Sequence, residues 1–331
     1  MRKLIVGDLH LKKSRLQTAE KCFKQLREIA KTVDHTIFMG DQYHGKADIR
    51  SECQRFLLHQ LFNWPTRVGM LIGNHDYENL ECQNHALTPF NQLENVDIYS
   101  EPIVCIFGEE SARAGVIPYC KNEESFVSAL QKVGNVDAIY AHQDVSGFKY
   151  ESGKEITNEI KVSLFDKYKK VFLGHIHTPQ EQGNIICVGT PFSHSFSEAN
   201  QEKRVIIYDT KDNSVEERSL DLPRHIQLSH TIMEKKDIKS IEIKASDSDY
   251  IRLKLKGPKD VLNKITKSMF KFPNLSLQKI ETRTAKLVKI EESLNKDKMV
   301  EVYISTLQTK LNKEKLSQLS QEILKQVNDA S

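Results

Sequence analysis

Asp, Asn and His residues recur along the chain at spacings that could assemble a metal centre. They lie in Gly7-Asp8-Leu9-His10, Gly40-Asp41-Gln42-Tyr43-His44, Gly73-Asn74-His75-Asp76, Ala141-His142 and Gly174-His175-Ile176-His177. The donors are two carboxylates (Asp8, Asp41), one amide oxygen (Asn74) and four imidazoles (His10, His142, His175, His177). This mixture suits Mn2+, Fe2+ or Zn2+, whereas calcium takes oxygens only. Seven ligands are too many for one tetrahedral ion and fit two ions, roughly 3.5–4 Å apart, that share a bridging carboxylate. Such a pair clamps a phosphate, activates water near neutral pH and offsets charge on the departing oxygen, so the chemistry implied is phosphoester hydrolysis. A single D-x-H carries little weight. The ordered set carries the reading, because burying Asp and His without partners costs several kcal/mol apiece.

The elements that must position these residues are short apolar runs ahead of each cluster. Strands are expected at Leu4 to Val6, Thr36 to Met39, Arg67 to Ile72, Ala138 to Ala141 and Val171 to Leu173, with others at Ile103 to Phe107, Gly115 to Ile117, Ile185 to Val188 and Val205 to Tyr208. Helical spacing covers Gln17 to Lys31, with Ala19, Cys22, Phe23, Leu26, Ile29 and Ala30 on one stripe, and Ser51 to Phe62, with Ser51 as N-cap. Early β-α alternation followed by hairpin-like strands implies an α/β fold of mixed sheets covered by helices. Residues just past the carboxyl ends of neighbouring strands gather on one edge, and D-x-H or H-x-H alternation turns both side chains of a pair to one side. Glycine ahead of four clusters permits a sharp turn and close backbone approach.

After Leu220 to Pro223 the pattern changes. Strands at Ser240 to Ile243 and Tyr250 to Leu255 and an amphipathic helix at Lys259 to Met269 read as a compact α+β unit. Helical spacing returns at Lys296 to Thr309 and Glu314 to Val327, where Leu316, Leu319, Ile323, Leu324 and Val327 form an apolar edge that needs another surface.

Composition is that of a globular chain, 39% hydrophobic and 28% charged in 331 residues. No run approaches the roughly 18 apolar residues of a membrane span. The N-terminus enters a strand without a secretion signal, and cysteines 22, 53, 82, 105, 120 and 187 form no CxxC pair, so a cytoplasmic protein with reduced thiols is expected. Residues 232–331 carry 21 Lys and Arg against 14 Asp and Glu, a net of +7, and no histidine, while all 12 histidines lie in the acidic part before them. Metal chemistry in front and an electrostatic or partner-binding region behind is one reading, and a solvated Lys-rich surface is the other.

The ordered set resembles the calcineurin-like metallophosphoesterases over residues 2 to about 223. The resemblance implies a sandwich of two mixed β-sheets flanked by helices. It implies one ion held by Asp8, His10, Asp41 and His177, a second held by bridging Asp41, Asn74, His142 and His175, and His75 as general acid. Where the superfamily's protein phosphatases have Asp-Arg after the bridging Asp, this chain has Asp41-Gln42-Tyr43-His44. A His at that place is similar to the SbcD-type nucleases, the meiotic recombination 11 homologues, in which it helps to position DNA or phosphate; the other reading of His44 is an exposed loop residue. The element Val188-Gly189-Thr190-Pro191-Phe192-Ser193-His194-Ser195-Phe196-Ser197-Glu198 is similar to the Gly-Ser-Pro…Ser-Phe-Ser-Glu element of that branch, and Leu222-Pro223-Arg224 resembles its crossover.

This resemblance implies a nuclease domain over 1–223, a DNA-capping domain over 224–283 and a helical segment over 284–331 that binds an SbcC-type coiled-coil ATPase. It also implies two divalent ions, Mn2+ first among them, and Mn2+-dependent 3′→5′ exonuclease action on double-stranded DNA ends with endonuclease action on single-stranded DNA, in repair of double-strand breaks. Lys254, Lys256, Lys259, Lys264, Lys267 and Lys271 are the candidate DNA contacts. Homodimerisation would use helices at about Ser51 to Phe62 and Asn84 to Leu93, where Leu57, Leu58, Leu61 and Phe62 serve either interface or core. The compact length suits a bacterial or phage version. The competing readings are a small-molecule phosphodiesterase or phosphatase of the superfamily and a non-catalytic scaffold tethering DNA ends.

Overall fold

A computed structural model describes residues 1–46, 48–79, 81–107, 112–282, 303–305 and 312–329. The chain runs through β1 (Arg2–Val6), α1 (Leu16–Ala30), β2 (His35–Phe38), α2 (Ser51–Phe62), β3 (Arg67–Leu71), β4 (Val96–Tyr99), β5 (Ile103–Phe107) and β6 (Ala112–Ile117). It continues through α3 (Glu123–Val133), β7 (Ala138–His142), β8 (Lys170–Gly174), β9 (Gln180–Gln182), β10 (Ile185–Cys187), β11 (Val205–Asp209) and β12 (Val215–Arg218). Then come β13 (His225–Thr231), β14 (Tyr250–Gly257), α4 (Lys259–Asn263), β15 (Leu275–Glu281) and α5 (Lys313–Asp329).

Two mixed sheets of six strands form the frame, ordered β12-β11-β1-β2-β3-β4 and β5-β6-β7-β8-β10-β9. Their inner strands are buried on both faces, which is why they read as unbroken apolar runs. Ile5, Ile37, Met39 and Leu71 meet Tyr140, Phe172 and Ile186 between the sheets. Outside the first sheet, α1 buries Ala19, Cys22, Phe23, Leu26 and Ala30. Outside the second, α3 buries Phe126, Ala129, Leu130 and Val133. The sequence reading missed α3 although it carries its own signals, an Asn122 side chain accepting from the Ser125 amide at 2.8 Å and Gly134 just past its end.

Register sets the functional edge. Val6 pairs with Phe38 and Phe38 with Met70, so the segments after β1, β2 and β3 leave the sheet side by side. His142 pairs with Gly174 in the second sheet, which sets it against the start of Gly174-His175-Ile176-His177.

After β12 the chain builds a third sheet, β13-β14-β15, parallel throughout, whose core is Ile232, Ile251, Leu253, Leu255, Leu262, Ile265 and Leu275. Four local expectations need correction. Residues 241–243 form no strand; a capping box between Glu234 and Asp237 starts a 3-10 turn at Lys235–Ser240 instead. The amphipathic stretch from Lys259 splits into α4 and a 3-10 turn at Lys267–Met269, because Thr266 adopts extended backbone (φ −121°). The cap of α2 is Arg50, without a side-chain bond, and Ser51 is its first helical residue. Within 84–93 the helical part is only a 3-10 turn, Thr88–Gln92, opened by Pro89.

Leu57 and Leu61 belong to the core, while Phe62 is 66% exposed beside Leu58, Leu93 and Arg55 in a groove of about 720 Å³. In α5, Leu319 and Ile323 are half exposed, and the side chains of Leu324 and Val327 lie outside the described residues. The helix expected at 296–309 lies outside them too, apart from a helical turn at 303–305. All six cysteines are free thiols. No helix among the described residues is long and apolar enough to cross a membrane.

Candidate metal centre

The loops following β1 and β2 pair as if the strands went on. His10 N donates to Asp41 O and Leu11 N to Gln42 O, both at 2.9 Å, and His44 N donates to Leu11 O at 3.2 Å. This extension carries His10 to Asp41. The turns are tight enough to force His10, Asp41 and His175 to positive φ (41°, 51° and 76°), strain of roughly 1–3 kcal/mol each of the sort that collects at functional sites. The glycines are spatial necessities: a Cβ on Gly7 would lie 1.6 Å from Gly189 O, and one on Gly73 2.1 Å from Asp41 Oδ1.

All seven candidate ligands converge. His10 Nε2 lies 2.9 Å from His177 Nε2 and 3.4 Å from Asp41 Oδ2, and His177 Nε2 is 3.8 Å from Asp8 Oδ2. On the other side of Asp41, His142 Nε2 lies 3.4 Å from Asp41 Oδ1 and 3.2 Å from Asn74 Oδ1. His175 Nδ1 comes within 2.8 Å of Asn74 Oδ1 and 3.2 Å of His142 Nε2. Asp8–His10–His177 and Asp41–His142–His175 thus form two donor clusters, with Asp41 facing both. Asp8, His10, Asp41 and His142 are 3% exposed or less, whereas the His175 and His177 side chains are about one-fifth exposed, so the centre opens on their side.

The donor chemistry fits divalent ions on a further ground. Three rings turn one nitrogen outward to a partner and the other inward: His142 Nδ1 donates to Met39 O at 2.7 Å, while His175 Nε2 lies at ion-pair distance, 3.0 Å, from Asp144 Oδ1 and His177 Nδ1 3.4 Å from Glu198 Oε1. Metal-ligating imidazoles are oriented in this manner. Glu198 itself is held by Lys203 Nζ at 2.7 Å and accepts from Thr190 Oγ1 and the His194 amide. Asp76 gathers the Gln42, Tyr43 and Gly73 amides, locking two ligand loops together.

Protonation follows from this crowding. Burial disfavours the Asp41 anion, yet the charge and hydrogen bond of His142, with His10 and His75, hold its carboxyl far below the usual range. Burial alone would lower His142, but Asp41 and Asp8 carry it up to about 10. Burial raises Asp8, and burial lowers His10 against the pull of Asp41.

His75 and His44 stand beside the ligands. The His75 amide donates to Asp41 Oδ1 at 2.7 Å, and His75 Nδ1 lies 2.8 Å from His44 O, with the two rings stacked at 6.2 Å. His75 also falls within ligand distance of His10 and Asp41. The six candidate lysines lie elsewhere, on the third sheet and its turns. Lys254 is half-buried on β14 and Lys256, Lys259, Lys264, Lys267 and Lys271 are exposed; Lys259 pairs with Glu281 at 3.9 Å.

Asp144, Lys203, Arg252 and the partner role of Glu198 escaped the sequence reading. Asp144 had a signal, since it follows His142 by two and so falls on the same side of an extended segment. Arg252 shares the polar face of β14 with Lys254 and stacks on Phe196 at 4.0 Å, which joins the third sheet to the 188–198 element. His225 reinforces that joint, 2.7 Å from Arg15 Nη2 and 2.8 Å from Ser193 Oγ.

Residues 1–179 match the family described as calcineurin-like phosphoesterase. The chain is 23% identical over 278 residues to exonuclease subunit 1 of Enterobacteria phage T4, covering 81% of this chain and 77% of that protein. It is 25% identical over 220 residues to "Putative phosphoesterase 244L" of Invertebrate iridescent virus 6, covering 62% and 74%. It is 24% identical over 216 residues to the SbcD component of the SbcCD nuclease of Staphylococcus saprophyticus, covering 56% of this chain and 57% of that one.

Proposed function

The chain belongs to the calcineurin-like phosphoesterase family, and on that premise we propose that it is the nuclease subunit of an SbcCD-type complex, hydrolysing DNA phosphodiester bonds at a two-ion centre. The observation that carries the catalytic part is the pair of donor clusters on either side of Asp41, with three of the rings anchored from outside. Asp8, His10, Asp41 and His177 would hold one ion, and Asp41, Asn74, His142 and His175 the other, with Mn2+ the ion we favour. When bound, such ions polarise the phosphate and activate water for attack.

The protein's own groups supply the rest. His75 gives Nδ1–H to His44 O, which leaves Nε2 free to carry a proton to the leaving oxygen; imidazole suits that task near neutral pH. His44 orients His75 through its carbonyl and offers its ring as a phosphate contact. Lys254, Lys256 and the turn lysines, with Arg252, supply phosphate contacts on a capping domain over about 224–283. Two relatives are named as parts of an exonuclease and of a nuclease, which supports DNA as substrate and a second subunit as partner. We assign the ATPase contact to the 284–331 segment, where α5 leaves Leu319 and Ile323 uncovered, and a homodimer contact to the Phe62 groove.

Purified protein with Mn2+ should shorten linear duplex DNA from its 3′ ends and nick circular single-stranded DNA, alone or with a coiled-coil ATPase. Both substrates surviving under both conditions would refute the nuclease assignment. A second reading is small-molecule phosphodiester hydrolysis, which the shared family and a relative named only as a putative phosphoesterase leave open. Faster turnover of bis-p-nitrophenyl phosphate than of DNA would favour it.

A further inference from the structure

Of the four imidazoles at the centre, His10 is the exception to outward anchoring. Its Nε2 faces His177 and Asp41, while its Nδ1 is buried without a hydrogen-bond partner. A second histidine beside it is in the same condition. His194 is 6% exposed, and neither of its ring nitrogens has a partner. Its ring centre lies 5.5 Å from that of His10, with the planes nearly perpendicular at 83°. The backbone holds it there: the His194 amide donates to Glu198 Oε2 at 3.3 Å, Arg15 Nη2 reaches His194 O at 3.5 Å, and the ring rests on Phe192 at 4.7 Å. An apolar side chain would fill this space without leaving two ring nitrogens unpaired by other protein groups, so packing alone gives no reason for a histidine.

We propose that His194 is a positioning residue for His10. One of its ring nitrogens accepts the His10 Nδ1–H across a single water, and so fixes the tautomer whose Nε2 lone pair faces the centre. His194 would then do for His10 what Met39 O, Asp144 and Glu198 do for the other three rings. The remaining neighbours of His194 agree with a neutral ring. Burial above all opposes a positive charge there; Glu198, which favours one, is already held by Lys203, and His177, Lys12 and Lys203 oppose it further. The inference rests on the two-ion reading above, but its first readout needs no ion.

The experiment uses the full chain as wild type, His194→Phe and His194→Gln. In the metal-free protein, nitrogen NMR of labelled histidines should find His10 as the Nδ1–H tautomer in wild type and mixed in His194→Phe. Mn2+ calorimetry should show one of two sites weakened about 10–100-fold by His194→Phe, with the other unchanged. His194→Gln, which retains an acceptor, should restore both signatures and so separate hydrogen bonding from packing. An unchanged His10 tautomer and unchanged Mn2+ affinities in His194→Phe would overturn the proposal. Fewer than two Mn2+ in wild type would overturn the two-ion reading instead, and the tautomer comparison would still judge His194.

Discussion

His142 is the residue whose protonation says most about the centre. With Asp41 and Asp8 against it, the ring keeps its proton up to about pH 10 in the metal-free protein. Its Nε2 must lose that proton before it can bind an ion, so ion uptake at neutral pH should release protons. Affinity should therefore rise with pH, about tenfold per unit for each proton displaced, and level off near pH 10. Calorimetry in buffers of different ionisation enthalpy measures the release directly, and an uptake without proton release would contradict this assignment.

His75 gives a second test at the same scale. His75→Leu should lower the cleavage rate about 10²–10⁴-fold while ion content stays at the wild-type level. Loss of ions together with activity would make His75 a ligand, as its distance from His10 and Asp41 allows.

Among the elements, the glycines that begin the ligand loops are where backbone geometry and chemistry meet. Gly7→Ala would drive a Cβ into Gly189 O, a backbone atom that cannot yield without moving the 188–198 element. Its cost should exceed about 4 kcal/mol in chemical denaturation, at the far end of single-substitution effects. Gly183→Ala meets nothing within 4 Å and bears only its left-handed φ of 61°, so about 1–2 kcal/mol is expected. Equal costs would mean that the packing at Gly7 is not what fixes the loop.

These central elements were legible because buried parallel strands have to be apolar and their loops have to carry the donors. What was illegible depended on tertiary contacts. The helix α4 stops at Asn263 although the apolar spacing would continue it, and Ile265 fills the core of the third sheet instead. Glu198 and Asp144 lie far in sequence from the imidazoles they face, so the spacing of Asp144 from His142 could mark it as turned toward the site but could not show that its partner is His175. The four-residue β4 and the eleven-residue α3 passed unnoticed, the first because of its shortness, the second despite its caps.

At the scale of the whole molecule, charge and sheet arrangement meet at β14. Arg252, Lys254 and Lys256 alternate with core residues Ile251, Leu253 and Leu255, and Arg252 reaches Phe196 beside the metal loops. If that face lies along DNA, Lys254→Gln with Lys256→Gln should weaken duplex binding and reduce the slope of log affinity against log salt by about 0.9 per lost contact. Fluorescence anisotropy across a salt series measures it, and an unchanged slope would remove these lysines from the interface.

The two-ion centre itself is tested most directly by anomalous scattering from crystals soaked in Mn2+. Two peaks roughly 3.5–4 Å apart should appear, one bounded by Asp8, His10 and His177, the other by Asn74, His142 and His175, with Asp41 between them. A single peak, or peaks away from Asp41, would contradict the two-ion centre.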